Sequence, residues 1–233
     1  MFRTLFAALL AVSALEGAED GLERADERLK MVREQIERRG IEDALTLKAM
    51  RTVPRHLFVP KNLQRYAYDD RPLSIGHGQT ISQPYIVAYM TELLRPKPGM
   101  RVLEVGTGSG YQAAVLAETG ADIFSIEIVD ALARSSKKAV REAGYDRVQL
   151  RSGDGYFGWE AAGPFDAIIV TAAAQSIPPP LIKQLHEDGR LIIPVGPPLG
   201  TQYLILVTKK DGKASTRRLI PVRFVPFTRR DTP

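Results

Sequence analysis

The stretch Arg101-Val-Leu-Glu-Val-Gly106-Thr-Gly108-Ser-Gly110-Tyr111 decides the fold. A short aliphatic run leads directly into three alternating glycines and then into Tyr111-Gln-Ala-Ala-Val-Leu-Ala-Glu118, so the order is strand, tight turn, helix. Glycine tolerates the left-handed backbone of such a turn and lets a ligand approach the main chain. The helix that follows presents unsatisfied N–H groups. The competing explanation is that close packing alone demands the glycines. A dinucleotide fingerprint, G-x-G-x-x-G, would require glycine where Tyr111 stands.

On either side of this turn the chain alternates. Residues 123–128, 148–151, 165–170 and 190–195 are short β-rich runs, and residues 111–118, 129–143 and 181–186 between them read as helices. Alternation of this kind implies crossover units and a doubly wound α/β fold built on a mostly parallel, seven-stranded sheet. Two more strands, 203–208 and 218–225, are joined by Lys210-Asp-Gly-Lys213 and predict a C-terminal antiparallel hairpin. Pro221 in the second of them calls for an edge position or a bulge.

Acidic residues stand at three successive strand ends: Glu104 inside the glycine strand, Glu127 in Ser125-Ile-Glu127-Ile128, and Asp154 in Ser152-Gly-Asp-Gly155. In open α/β sheets such loops converge on one crevice, and an acid after the second strand accepts hydrogen bonds from ribose hydroxyls. A solvated strand end is the alternative for Glu127 taken alone, and a plain Asp-Gly turn is the alternative for Asp154. G-x-G-x-G preceded by an acid resembles the first motif of S-adenosylmethionine methyltransferases, in which the acid lies near the cofactor's ammonium end. The acid after the third strand of those enzymes commonly reaches the adenine amino group.

Upstream, Leu22, Ala25, Leu29, Val32 and Ile36 recur at helical spacing in a charged stretch and predict an N-terminal helix over residues 22–39, ended by Gly40. A second helix is expected over residues 44–50. Residues 53–84, punctuated by Pro54, Pro60, Pro72 and Pro84, should be mostly loop, and a further helix should run over residues 83–94. Irregular segments of that length usually carry function, which singles out Ser74-Ile-Gly-His-Gly-Gln-Thr-Ile-Ser-Gln-Pro84.

These pieces together resemble one family. Arg55-His-Leu-Phe-Val-Pro60, Gly76-His-Gly-Gln-Thr-Ile-Ser-Gln-Pro84, Val102-Leu-Glu-Val-Gly-Thr-Gly-Ser-Gly-Tyr111, Gly153-Asp-Gly155, Pro164-Phe-Asp-Ala-Ile-Ile-Val-Thr-Ala-Ala174 and Arg190-Leu-Ile-Ile-Pro-Val-Gly196 are similar, in order and spacing, to the protein-L-isoaspartate (D-aspartate) O-methyltransferases. The resemblance implies an enzyme that moves a methyl group from S-adenosyl-L-methionine to the free carboxylate of L-isoaspartyl and D-aspartyl residues, leaving S-adenosyl-L-homocysteine. The ester then cyclises to a succinimide that reopens partly to normal aspartate. Isoaspartyl-containing peptides and proteins are the implied partners. The resemblance also makes Ser82 the catalytic hydroxyl beside the substrate carboxylate and Thr80 its neighbour in the same loop. It assigns Thr80, Glu104, Gly106, Gly108, Ser109, Gly110, Glu127, Asp154, Gly155 and, less directly, Gln202 to the cofactor. Capping of the helix that starts near Gln83 is the other reading of Ser82. Ser74 departs from the family, which usually has proline there.

Composition bounds the alternatives. Thirty-two Lys and Arg against 27 Asp and Glu give a net charge of +5, partly from Arg217, Arg218, Arg223, Arg229 and Arg230 in the tail. No run of like charges marks a nucleic-acid stripe, so no nucleic acid is expected as a partner. The absence of cysteine removes disulfides and thiol nucleophiles. His56, His77 and His186 lack metal-site spacing, so no metal is expected. Met1-Phe-Arg, the apolar run over residues 4–12 and Val12-Ser-Ala14 read as a secretory signal, with residues 1–21 as signal and linker. That run is too short for a stable membrane anchor. Export to the periplasm is expected on this basis, the alternative being the cytoplasm, where the family is mainly found. Residues 22–233 then form one domain, with helices and substrate loop over 22–99 and the cofactor-binding sheet over 100–233. A methyltransferase with another acceptor, a nicotinamide oxidoreductase and a non-catalytic binding module are the competing functions. Isoaspartyl peptide assays, calorimetry with both cofactors, and S-adenosylhomocysteine retained on purification separate them.

Overall fold

The computed structural model describes residues 24–198 and 200–229. The expected export signal and its linker lie outside these residues. Seven strands form one sheet: β3 (Arg101–Val105), β4 (Asp122–Glu127), β5 (Gln149–Ser152), β6 (Phe165–Val170), β7 (Leu185–Val195), β8 (Gln202–Lys210) and β9 (Lys213–Val222). Their order is β5-β4-β3-β6-β7-β8-β9. Pairings among β3 to β7 are parallel, and β8 and β9 close the far edge antiparallel. The strand order reverses between β3 and β6, so the loops after these two strands part and open a crevice at their carboxyl ends.

The sheet is buried on both faces, which is why β6 ends in the unbroken apolar run Ala167–Val170 and β3 is apolar but for Arg101 at its start and the buried Glu104. Val102, Ile123, Ala167, Ile169 and Ile192 pack on one side with the N-terminal helices. Leu103, Val105, Phe124, Ile126, Ile168 and Val170 pack on the other. Each fully buried aliphatic side chain contributes about 1.5–3 kcal/mol, so these strands hold the crevice walls rigidly. Helix α4 (Tyr111–Glu118) follows β3 and is buried from Tyr111 to Leu116. Helix α5 (Asp130–Glu142) follows β4 and buries the stripe Leu132, Ser136, Val140 at every fourth position.

The N-terminal helix α1 (Ala25–Met31) continues through a π turn (Val32–Ile36) and a 3-10 turn (Glu37–Arg39) to Gly40. Its buried face is Arg28, Met31, Val32 and Ile36, and Leu29 is exposed. The π turn shifts the phase of the helix, and Arg28, whose Nε donates to the Arg51 carbonyl, takes the inward position that simple periodicity gave to Leu29. Helix α2 (Ala44–Thr52) is capped by Asp43. The segment expected to be loop contains a hairpin of β1 (Leu73–Gly76) and β2 (Gln79–Ile81), turning at His77 and Gly78, both with positive φ. Helix α3 (Pro84–Leu94) follows it.

Two boundaries move. Helix α6 (Pro179–Gln184) stops before His186, because Leu185 already pairs with Phe165 and β7 absorbs extra residues around Asp188 and Gly189 before Arg190 meets Ala167. Strand β9 begins at Lys213, straight after the positive-φ pair Asp211-Gly212, although residues 213–217 carry no apolar alternation. Pro221 lies on the edge strand beside a register shift at Tyr203/Ile205. Residues 223–229 leave the sheet and run back across the crevice as a strap. The Ala173 N–H donates to the Val225 carbonyl and the Phe227 N–H to the Ala173 carbonyl, both at 2.8 Å.

Candidate active site

The crevice is an open cleft of about 770 Å³, solvent at its opening included. Its floor is the glycine turn. Gly106 has φ 97°, and a β-carbon there would collide with the Thr171 hydroxyl from the loop after β6. The turn is closed by the Thr171 N–H donating to the Val105 carbonyl (3.0 Å) and the Thr171 hydroxyl to the Gly106 carbonyl (2.6 Å). Gly106, Gly108 and Ser109 line the cleft. Gly110 does not line it: a β-carbon at Gly110 would sit 2.6 Å from Val140, so this glycine lets α4 and α5 approach each other.

Glu127 ends β4 and lines the cleft. Its Oε2 accepts the Gly108 N–H at 2.7 Å and its Oε1 the Val129 N–H at 2.9 Å. Each oxygen keeps a lone pair for a ligand hydroxyl, and two backbone bonds fix where those lone pairs point. Glu104 lies wholly inside the fold. Its Oε2 accepts the Ser125 hydroxyl, which is 2.6 Å from the Thr107 hydroxyl at the cleft wall, and its Oε1 has no partner. Burial pushes its carboxyl up to about 8, the Ser125 bond works against that, and the charge of Glu127 adds to it. The cleft therefore has two carboxyl groups at this end, Glu104 reaching it through two hydroxyls and Glu127 directly.

Gly155 lines the cleft with its α-carbon against Val105, where a β-carbon would clash. Asp154 stands behind it and does not line the cleft. Its Oδ1 accepts the Tyr156 N–H at 2.9 Å, and its Oδ2 accepts the Arg229 Nε at 2.8 Å. Gln202 is also away from the cleft. Its amide is spent on the strap, with Oε1 accepting the Phe224 N–H (2.6 Å) and Nε2 donating to the Phe224 carbonyl (3.3 Å).

A second groove of about 1120 Å³, open solvent included, lies beside the cleft, lined by Arg39, Tyr85, Ile86, Pro221 and Arg223 among others. Thr80, Ser82, Thr171 and Val225 line both cavities. Ser82 lies between β2 and α3. The N-cap of α3 is Gln83 and it has no side-chain cap, so the capping reading of Ser82 is not realised. Thr171, Ala172 and the strap residues 225–228 were not singled out in the sequence as site residues. The strap has no spacing or motif that could have marked it, whereas Thr171 directly follows the β6 strand.

A doubly wound sheet of this order, with a glycine turn under the cleft and acids in β3 and at the end of β4, is the arrangement of the S-adenosylmethionine-dependent methyltransferases. The comparisons narrow the class. The family model described as protein-L-isoaspartate(D-aspartate) O-methyltransferase matches residues 26–232. A protein-L-isoaspartate O-methyltransferase of Opitutus terrae is 60% identical over 226 residues, 97% of each chain, and one of Gloeobacter violaceus is 56% identical over 85% of this chain and 97% of its own. A crystal structure of a Plasmodium falciparum protein assigned to the same enzyme class, in complex with S-adenosyl-L-homocysteine, superposes with TM-score 0.75 at 31% identity, covering 86% of this chain and 98% of its own. The chain belongs to the protein-L-isoaspartate(D-aspartate) O-methyltransferase family.

Proposed function

We propose that methyl transfer takes place where the two cavities meet, from S-adenosyl-L-methionine in the cleft to a carboxylate entering from the groove. The observation that carries this is the set of residues common to both cavities, with Ser82 among them. The acceptor is the free carboxylate of an L-isoaspartyl or D-aspartyl residue in a damaged peptide or protein, and the ester goes on to the succinimide that starts repair.

When bound, the cofactor supplies a methyl group on a positively charged sulfur. The acceptor carboxylate has a reference pKa near 4 and arrives ionised, so no general base is needed. The chain's task is to hold one oxygen in line with the methyl group, and orientation of that kind can account for much of a rate enhancement. Ser82 donates its hydroxyl proton to a hydrogen bond with the acceptor carboxylate and forms no covalent bond. Glu127 would accept the ribose hydroxyls, Gly106, Gly108, Ser109 and Gly155 would let the cofactor lie against the backbone, and Thr107, Ser125 and Glu104 would answer its positive end. Asp154, held by Arg229 and the Tyr156 N–H, would act on the adenine end by fixing the Gly155 backbone.

The test is transfer of labelled methyl to an isoaspartyl peptide with the matching aspartyl peptide as control. Equal labelling of both sinks the proposal. No helix among the described residues is long and apolar enough to cross a membrane. Export through the N-terminal signal is a separate proposal supported by sequence alone. Its test is N-terminal sequencing of protein from separated cell fractions, where an intact Met1 in the cytoplasmic fraction is the adverse result.

A further inference from the structure

Arg55 is a cation that the fold buries completely without giving it a carboxylate. It opens the 3-10 turn Arg55–Phe58, and its side chain reaches under the Ser82 loop. Its Nε donates to the Ala67 carbonyl and its Nη2 to the Ser82 carbonyl, each at 2.7 Å, while its Nη1 has no partner. The guanidinium carbon is 4.9 Å from the centre of the Tyr111 ring. None of the ion pairs among the described residues includes Arg55. Burial lowers its pKa to about 10, with the Tyr111 and Tyr68 phenols acting the other way, so it is charged at neutral pH.

A neutral donor could tie two carbonyls together at far smaller desolvation cost than a full charge. A positive charge kept in the interior, where water does not screen it, acts on whatever anion comes to the loop above. We propose that this anion is the substrate: Arg55 is a positioning residue that draws the isoaspartyl carboxylate to Ser82 from beneath the loop, without touching it. The inference rests on the assignment of Ser82 to the carboxylate.

The test compares two peptides, one with the isoaspartyl carboxylate and one with that carboxylate replaced by a neutral carboxamide. Dissociation constants for both are measured with S-adenosyl-L-homocysteine present. In Arg55→Gln the preference for the charged peptide should fall about tenfold while affinity for S-adenosyl-L-homocysteine stays within about twofold. In Arg55→Lys, which keeps the charge and loses the fork, the preference should persist within about twofold. An unchanged preference in Arg55→Gln, or equal weakening of both peptides, overturns the proposal in favour of a purely structural clip. If Arg55→Gln does not fold, Arg55→Lys decides: loss of the preference there with normal cofactor binding overturns it. Ser82→Ala is run alongside. If that variant keeps the wild-type rate and preference, the Ser82 assignment is what fails. If it loses them while Arg55→Gln keeps them, only the Arg55 inference fails.

Discussion

Arg229 grips Asp154: its Nε lies 2.8 Å from Oδ2, and its guanidinium stacks 3.7 Å from the centre of the Tyr156 ring. The pair ties the last described residue to the loop after β5, directly after strap residues 225–228, which line the cleft. Arg229→Ala should cost little stability, since partly exposed pairs contribute about 0–1 kcal/mol. It should instead speed the release of S-adenosyl-L-homocysteine several-fold in stopped-flow measurements. Slower release would mean that Arg229 competes with the ligand for Asp154.

Asp154→Ala should weaken cofactor binding more than Arg229→Ala does, because it also removes the acceptor of the Tyr156 N–H. A charged hydrogen bond is worth about 1.5–3 kcal/mol. Calorimetric titration of the two variants gives the order directly, and the reverse order sinks the assignment.

Glu127→Ala should lower affinity for S-adenosyl-L-methionine by a similar amount, about 1.5–3 kcal/mol. It takes away ribose acceptors and also frees the Gly108 and Val129 N–H groups. Wild-type affinity in this variant would remove the cofactor from the cleft.

Ser82→Ala should reduce kcat/KM for isoaspartyl peptide by tenfold or more while cofactor affinity stays near wild type. Its hydroxyl caps no helix, so removing it leaves α3 in place. A parallel fall in cofactor affinity and rate would point to a loosened loop instead.

Glu104 makes a pH prediction. Burial raises its folded pKa to about 8 from the ordinary carboxyl value of about 4.5, so the stability it contributes is full below about 4.5 and is lost as pH rises through about 8. Ligand-free wild type should therefore lose Tm between pH 5 and 9 relative to Glu104→Gln, by up to a few kcal/mol in free energy. Parallel curves would show that Glu104 does not hold its proton. A cationic ligand favours the ionised form, so S-adenosyl-L-methionine affinity should rise toward pH 8 in wild type and stay flat in the variant.

The parallel sheet was legible because β3, β4 and β6 are buried on both faces and bounded by turn residues, and the glycine turn was legible because backbone geometry at Gly106 and Gly108 admits little else. Leu29 was misread because a π turn changes the helical phase, which no fixed period anticipates. The β1–β2 hairpin hid behind a cluster of prolines, and β9 behind its polar start. Glu127 and Ser82 could be reached from motif and resemblance, and both line the cleft. Asp154 and Gln202 were picked by the same route, yet their side chains are turned toward Arg229 and Phe224. Those partners sit in residues 223–229, where an irregular chain finds its path only through tertiary contacts.

The wall common to cleft and groove also sets a condition on the molecules the enzyme repairs. Ser82 is half-buried between a hairpin and a helix start. On the proposal that it receives the acceptor carboxylate, the damaged residue has to leave its own fold far enough to bring that carboxylate down to the wall. Repair then reads two things at once in a client protein, the altered aspartate and the local freedom of the backbone that carries it.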